Sequence, residues 1–144
     1  MRFDQSEAFG AAVLMPAAAL DADTTPPEVA LGKAQSATIL LAVGVGGITF
    51  DATNKVEFKL THAEESGGTF EAVEQADVVG VTVGEGGIVH SLVEEQAAAT
   101  VTKIGYKGRR GFLKLLPDFS GTHGSPTPMS AVVVTGNLDR IDPA

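Results

Sequence analysis

The chain contains no cysteine, no tryptophan and a single tyrosine. The first absence excludes disulfides, thiolate metal sites and cysteine nucleophiles together. The second counts against a glycan platform, which presents exposed aromatic rings to sugar faces. Positive charge is also scarce, with 10 Lys+Arg against 18 Asp+Glu and a net charge of −8. Proteins that hold nucleic acid neutralise phosphates with a basic stripe, so no nucleic-acid partner is expected. No stretch reaches the ~18 apolar residues of a membrane helix, so no membrane partner is expected either. The opening Met1-Arg2-Phe3-Asp4-Gln5-Ser6-Glu7 carries two acids and does not resemble a signal-peptide n-region, which predicts synthesis in the cytoplasm.

What remains is glycine, valine, alanine and threonine in short runs. The length of 144 residues suits one domain. A chain of this size can bury roughly two-thirds of its unfolded surface. Seventeen glycines among β-branched residues predict short strands joined by tight turns.

Residues 1–27 read as an N-terminal arm. Ala11 to Leu20 is small and apolar and is interrupted by Pro16, and Asp21 to Pro27 is a turn-rich connector ending in a Pro-Pro hinge. A free arm would leave Val13, Leu14 and Met15 wet, so the arm is expected to bind a sheet edge, with Val13, Leu14, Met15 and Leu20 as its contacts. On this reading a chain starting near Glu28 folds unaided and loses only its partner.

Residues 28–144 are expected to form the domain. Thr38 to Val43 is an unbroken apolar run and reads as a central strand covered on both faces. From 55 to 63 Val56, Phe58 and Leu60 alternate with Lys55, Glu57, Lys59 and Thr61, the pattern of a half-buried antiparallel strand. A polar turn at 64–68 and a return over 69–73 make it a hairpin. Strands are also expected over 78–83, 88–93 and 129–135. Residues 100–106 and 112–116 are expected to pair as a second hairpin, with Lys107, Arg109 and Arg110 as a basic cluster at its tip. Ser91-Leu92-Val93-Glu94 has the capping-box form and allows one helical turn. The predicted fold is all-β: an antiparallel β-sandwich or a jelly-roll-like barrel of about eight to nine short strands. One core is expected to hold Ile39, Leu41, Val56, Phe58, Leu60, Phe70, Leu113, Leu115 and Val133.

No catalytic residues and no metal ligands are nominated. Gly44-x-Gly46-Gly47 lacks the Lys-Ser/Thr of a P-loop. His62, His90 and His123 have no metal-site spacing, and His90 is expected to be packed with a hydrogen bond to a backbone carbonyl. Ser120 and His123 lack a strand-to-helix elbow, and Asp118 and Ser120 are expected to shape turns. No spaced acidic loop for calcium occurs. The expectation is a protein without enzymatic activity or cofactor.

The segments Asn54 to His62, Glu64 to Gly68 and Thr69 to Val73 resemble a pattern of small tailed-phage and prophage virion proteins. There a strand ends in a Ser-Asp-Asp-Gly-like turn and an aromatic opens the return. Ile104 to Leu115 resembles the second hallmark of that group, a Gly-Tyr-x-Gly turn leading to Arg-Tyr, although Gly111-Phe112 stands here where Arg-Tyr is usual. Asp118 to Gly124 and Thr127-Pro128-Met129 complete the likeness, which spans about residues 28–136. The resemblance implies a virion structural protein, with a capsid decoration (cement) protein on the phage head as the leading reading. It implies the major capsid protein as partner and a homo-oligomer, dimer or trimer. A head-fibre, spike, neck or tail-associated protein that binds a receptor or glycan is the alternative.

Overall fold

Alternation of side chains decides which face of each strand turns inward, and here it holds almost throughout. In a computed structural model, which describes residue 6 and residues 8–136, the chain is all-β. Its strands are β1 (Phe9–Leu20), β2 (Val29–Ala30), β3 (Ser36–Val43), β4 (Lys55–Ala63), β5 (Glu71–Ala72), β6 (Val78–Val79), β7 (Ile88–Leu92), β8 (Thr100–Tyr106), β9 (Phe112–Ser120) and β10 (Thr127–Gly136). The first sheet runs β1-β10-β3-β8-β6 and the second runs β2-β9-β4-β5, with β7 also paired to β4. All these pairings are antiparallel, and neither sheet closes into a barrel. Of the two architectures expected, the sandwich is the one observed.

The core lies between the sheets. Ile39, Leu41, Val56, Phe58, Leu60, Leu113, Leu115 and Val133 are fully buried in one cluster, as the alternation predicts. Phe70 is the exception. It is half-buried just before the two-residue β5, and the Lys114 ammonium lies 4.4 Å from its ring centroid.

Three expectations are corrected. The first concerns the arm. Residues 9–20 are a strand of the domain's own first sheet, paired with β10 from Phe9↔Gly136 to Leu20↔Thr127. The ladder shifts register between Val13 and Met15, so the consecutive residues Leu14 and Met15 both point inward and are 0% and 1% exposed. They are core residues and not partner contacts, Leu20 packs half-buried against the core, and Val13 alone of the four nominated residues faces outward. A boundary at residue 27 therefore does not separate an arm from a domain. Residues 1–5 and 7, and the tail after Gly136, lie outside the described residues.

The second correction is the expected hairpin of residues 100–106 with 112–116. β8 sits between β3 and β6 in the first sheet, whereas β9 pairs with β4 and β2 in the second. Residues 107–111 thus cross between sheets. Local turn chemistry marks a reversal but does not say which sheet receives the next strand. The third concerns short elements. The strand expected over 78–83 stops after Val79, where Gly80 takes φ 94° and the Gln75 side chain bonds the Val81 carbonyl and the Val83 amide. Ser91 lies in β7 and starts no helix. The helical turns that do form are 3-10 turns at Gln75–Asp77 and Glu85–Gly87, and in the first the Glu74 amide donates to the Asp77 carboxylate at 3.0 Å.

Leu14→Ala should cost about 2–5 kcal/mol, because it empties a filled core site. Denaturant titration reads this directly, and a loss under about 0.5 kcal/mol would place β1 outside the folded unit. Gly87 is buried at φ 85°, and a Cβ there would press on the Leu60 carbonyl oxygen at 2.7 Å. Gly87→Ala should therefore destabilise by roughly 1–3 kcal/mol or more, measured the same way.

Candidate functional site: two outer faces and an acid-base cleft

Each sheet has one face in the core and one outside, and the two outer faces differ in chemistry. On the second sheet β4 presents Lys55, Glu57, Lys59 and Thr61 outward, and β9 presents Lys114, Leu116 and Asp118 beside them. Lys59 and Asp118 pair at 2.6 Å and Lys55 and Glu57 at 3.2 Å. The contact with Asp118 holds the Lys59 ammonium above its ordinary pKa. This is the polar face that half-buried antiparallel strands normally carry.

The outer face of the first sheet is different. Strand register puts Val13, Val132, Leu40 and Lys103 in one row across four strands. The adjoining row is Ala11, Val134, Thr38, Gly105 and Val79. On the other side lie Ser130, Ala42 and Val101. Lys103 is the single charge in these rows, in a chain with 28 charged residues by the sum of 10 and 18. Val13, Val79 and Val101 are 55%, 53% and 65% exposed. The Thr38–Val43 run, whose composition predicts cover on both sides, is covered on one. Ala37, Ile39, Leu41 and Val43 are buried against the second sheet, while Thr38, Leu40 and Ala42 face this open surface.

A cleft of about 450 Å³ lies where the 3-10 turn at Gln75–Asp77, the end of β4 and the crossing loop meet. It gathers Glu71, Glu74, Asp77, His62, Lys107 and Arg109, with Arg110 at its edge. The nominated basic cluster is split here. Arg110 pairs with Glu71 at 2.7 Å, while the Lys107 and Arg109 side chains are exposed. The Lys107 amide donates to the Asp77 carbonyl at 2.8 Å, which ties the loop to the turn. Among the described residues, no hydroxyl or thiol lines the cleft.

His62 is buried beneath this cleft. Its Nδ1 lies 2.8 Å from the Tyr106 hydroxyl, whose hydrogen is directed at the Arg110 carbonyl 3.4 Å away. The other ring nitrogen, Nε2, faces the Asp77 carboxylate at 4.0 Å. Burial depresses the His62 pKa, and Asp77 opposes the shift without reversing it. The same burial raises the Tyr106 pKa.

The histidines do not meet. His90 stacks on Phe58, with ring centroids 6.0 Å apart, and burial lowers its pKa too. The backbone-carbonyl contact expected of His90 belongs instead to His123, whose Nε2 is 2.8 Å from the Ser120 carbonyl and whose ring meets Phe119 edge-on. Among the described residues, no group of three or more His, Asp or Glu is placed to hold a metal ion. Asp118 and Ser120 lie in β9 and do not form the turn expected of them. That work falls to Asp51, which accepts from the Thr53 and Asn54 amides, and to Asn54, which accepts from the Thr122 amide. The Asp-x-Thr-Asn spacing carried that signal in the sequence.

Neither protein-family models nor curated proteins give a match to this chain.

The depressed histidine values fix a pH dependence. An imidazole whose folded pKa lies below the unfolded 6.5 binds fewer protons folded than unfolded as pH falls toward the folded value. The stability it contributes is fully present above 6.5 and is lost as pH falls through 6.5 toward the depressed value. Thermal melts should drop on mild acidification, and His62→Gln should flatten part of that drop. Identical slopes in the variant and the parent would remove His62 from the account.

Proposed function

We propose that this protein is a non-enzymatic structural component of a phage particle, a capsid decoration protein that lies on the outer surface of the head and stabilises it. The observation that carries the reading is the open, nearly charge-free outer face of the first sheet. A sheet face that lies against water alternates polar side chains along its strands, as the second sheet does. A contiguous apolar face rimmed by charge marks a protein-protein contact. Four long strands, each about 4.8 Å wide, and eight residues at about 3.3 Å give a plate of roughly 19 by 26 Å, or about 500 Å² in projection. That is the order of the ~800 Å² of accessible surface each partner contributes to a specific interface.

A flat plate of small side chains suits a broad protein surface better than a small ligand, which needs a concave pocket. A shell subunit offers such a surface, and the resemblance of the turn motifs to phage virion proteins supplies the kind of shell. With the first sheet down, the charged second sheet faces solvent and keeps neighbouring particles apart. The partner on this reading is the major capsid protein.

Binding to heads stripped of the protein is the test. Val101→Glu combined with Val13→Glu places two acids on the plate without touching the core and should weaken binding at least about tenfold, or ~1.4 kcal/mol. Lys55→Glu, on the opposite face, should bind as the parent does. Equal binding by all three proteins would overturn the use of this face. Imaging of intact particles separates decoration, with copies spread over the head, from a neck, fibre or tail part confined to a few positions.

A further inference from the structure

Strand β1 is held differently from every other long strand. Among the described residues, it lies at the edge of the first sheet with β10 as its sole ladder partner. Its two register shifts flank Met15 and span Pro16, and its large inward anchors are the adjacent Leu14 and Met15. The chain that follows is fixed to the body almost at once. The Asp23 carboxylate accepts the Phe119 amide at 2.6 Å, and the Glu28 carboxylate accepts the Gly67 amide at 2.9 Å and the Ser66 hydroxyl at 3.1 Å. Between the end of β1 at Leu20 and the anchored Asp23 there is only an exposed bend at Asp21–Ala22.

From this geometry we infer that β1 is exchanged between copies of this chain, so that the Leu14–Met15 plug of one molecule fills the core of the next. Exchange keeps every ladder hydrogen bond and every core contact, because the strand that arrives is identical to the one that leaves. The difference in free energy is confined to the hinge. The bend needs to straighten at two residues for β1 to swing clear, while the anchors at Asp23 and Glu28 stay in place. A short hinge between a fixed body and a separable strand favours this outcome over closure on the same chain. The alanines at Ala17, Ala18 and Ala19, all exposed, add little burial to resist release. A crowd of copies raises their effective concentration and shifts the balance further toward exchange. The inference concerns the isolated chain and does not rest on the docking role of the outer face.

The absence of cysteine gives a clean test. Val13 and Val132 are register partners on the outer face, so Val13→Cys with Val132→Cys reports which chain supplies β1. The full-length double variant is unfolded, refolded over a range of concentrations, oxidised, and run denatured without reductant beside each single variant. The expected result is covalent dimers or larger closed species. Their share should rise with refolding concentration, persist on later dilution, and exceed that in either single variant. Ala11→Cys with Val134→Cys, the next outward pair, should behave alike. Intrachain-linked monomer at every concentration, or no interchain product above the single variants from either pair, overturns the inference. Glycines inserted between Asp21 and Ala22 should lower the interchain share, because a longer hinge lets β1 fold back onto its own chain. An unchanged share would assign the dimers to face-to-face contact and would likewise overturn it.

Discussion

The pairing of β1 with β10 closes the sandwich, and the rest of the first sheet depends on it. β10 lies between β1 and β3, so the last described strand is held on both sides by strands from the first third of the chain. Its inward residues Met129, Ala131 and Val133 meet the inner face of the second sheet, and the Leu14–Met15 plug completes that layer. Nearly all the stabilising burial therefore waits on contacts between distant parts of the sequence. Such topologies fold slowly, because loop entropy is lost before non-local contacts form. An unsatisfied β10 edge during that interval is a natural receptor for a strand from another copy.

Much of the second sheet was legible from sequence, and for a plain reason. One of its faces is core and the other is polar, so the Lys55–Ala63 segment shows the cleanest period-2 alternation in the sequence. The first sheet was read less well. Thr38 to Val43 carries no polar alternation, which sequence reasoning takes as cover on both sides. The chain itself supplies one cover, and Thr38, Leu40 and Ala42 face the open side. β1 was misplaced because alanine and Pro16 weaken any strand pattern, and because a bulge puts Leu14 and Met15 on the same side, which breaks the alternation. The β8–β9 crossing could not be foreseen. Lys107 to Gly111 has the residues of a hairpin turn, and only tertiary pairing decides that Phe112 enters the other sheet.

The candidate cleft shows where local chemistry misleads. Lys107, Arg109 and Arg110 form one basic run in sequence. In space Arg110 is taken up by Glu71, and the Lys107 backbone is taken up by Asp77. What results is a latch that joins the crossing loop to the 3-10 turn, with His62 and Tyr106 hydrogen-bonded beneath it. Exposed ion pairs of this kind contribute about 0–1 kcal/mol each. The buried His62–Tyr106 contact is worth more to specificity, because an imidazole without that partner would be left buried and unsatisfied.

The charge distribution bears on how an acidic protein can still make a broad contact. With a net charge of −8, two copies, or a copy and an acidic shell, repel through their wider fields. At about 0.15 M salt those fields fade over ~8 Å, so only charges at the contact itself matter. The outer rows of the first sheet hold no carboxylate, so docking there buries no like-charge pair and leaves no acid to desolvate. Withdrawing an unpaired carboxylate from water costs several kcal/mol, whereas small apolar side chains gain about 25 cal/mol for each Å² withdrawn from water. Lys103 sits toward the β8 side of the plate, beside the short edge strand β6. Its long stem can lie along apolar surface while the ammonium reaches the rim, so a single lysine there does not spoil the contact. Among the described residues, the rows of the outer face of the first sheet are thus apolar but for Lys103, whereas the outer face of the second sheet carries Glu57 and Asp118.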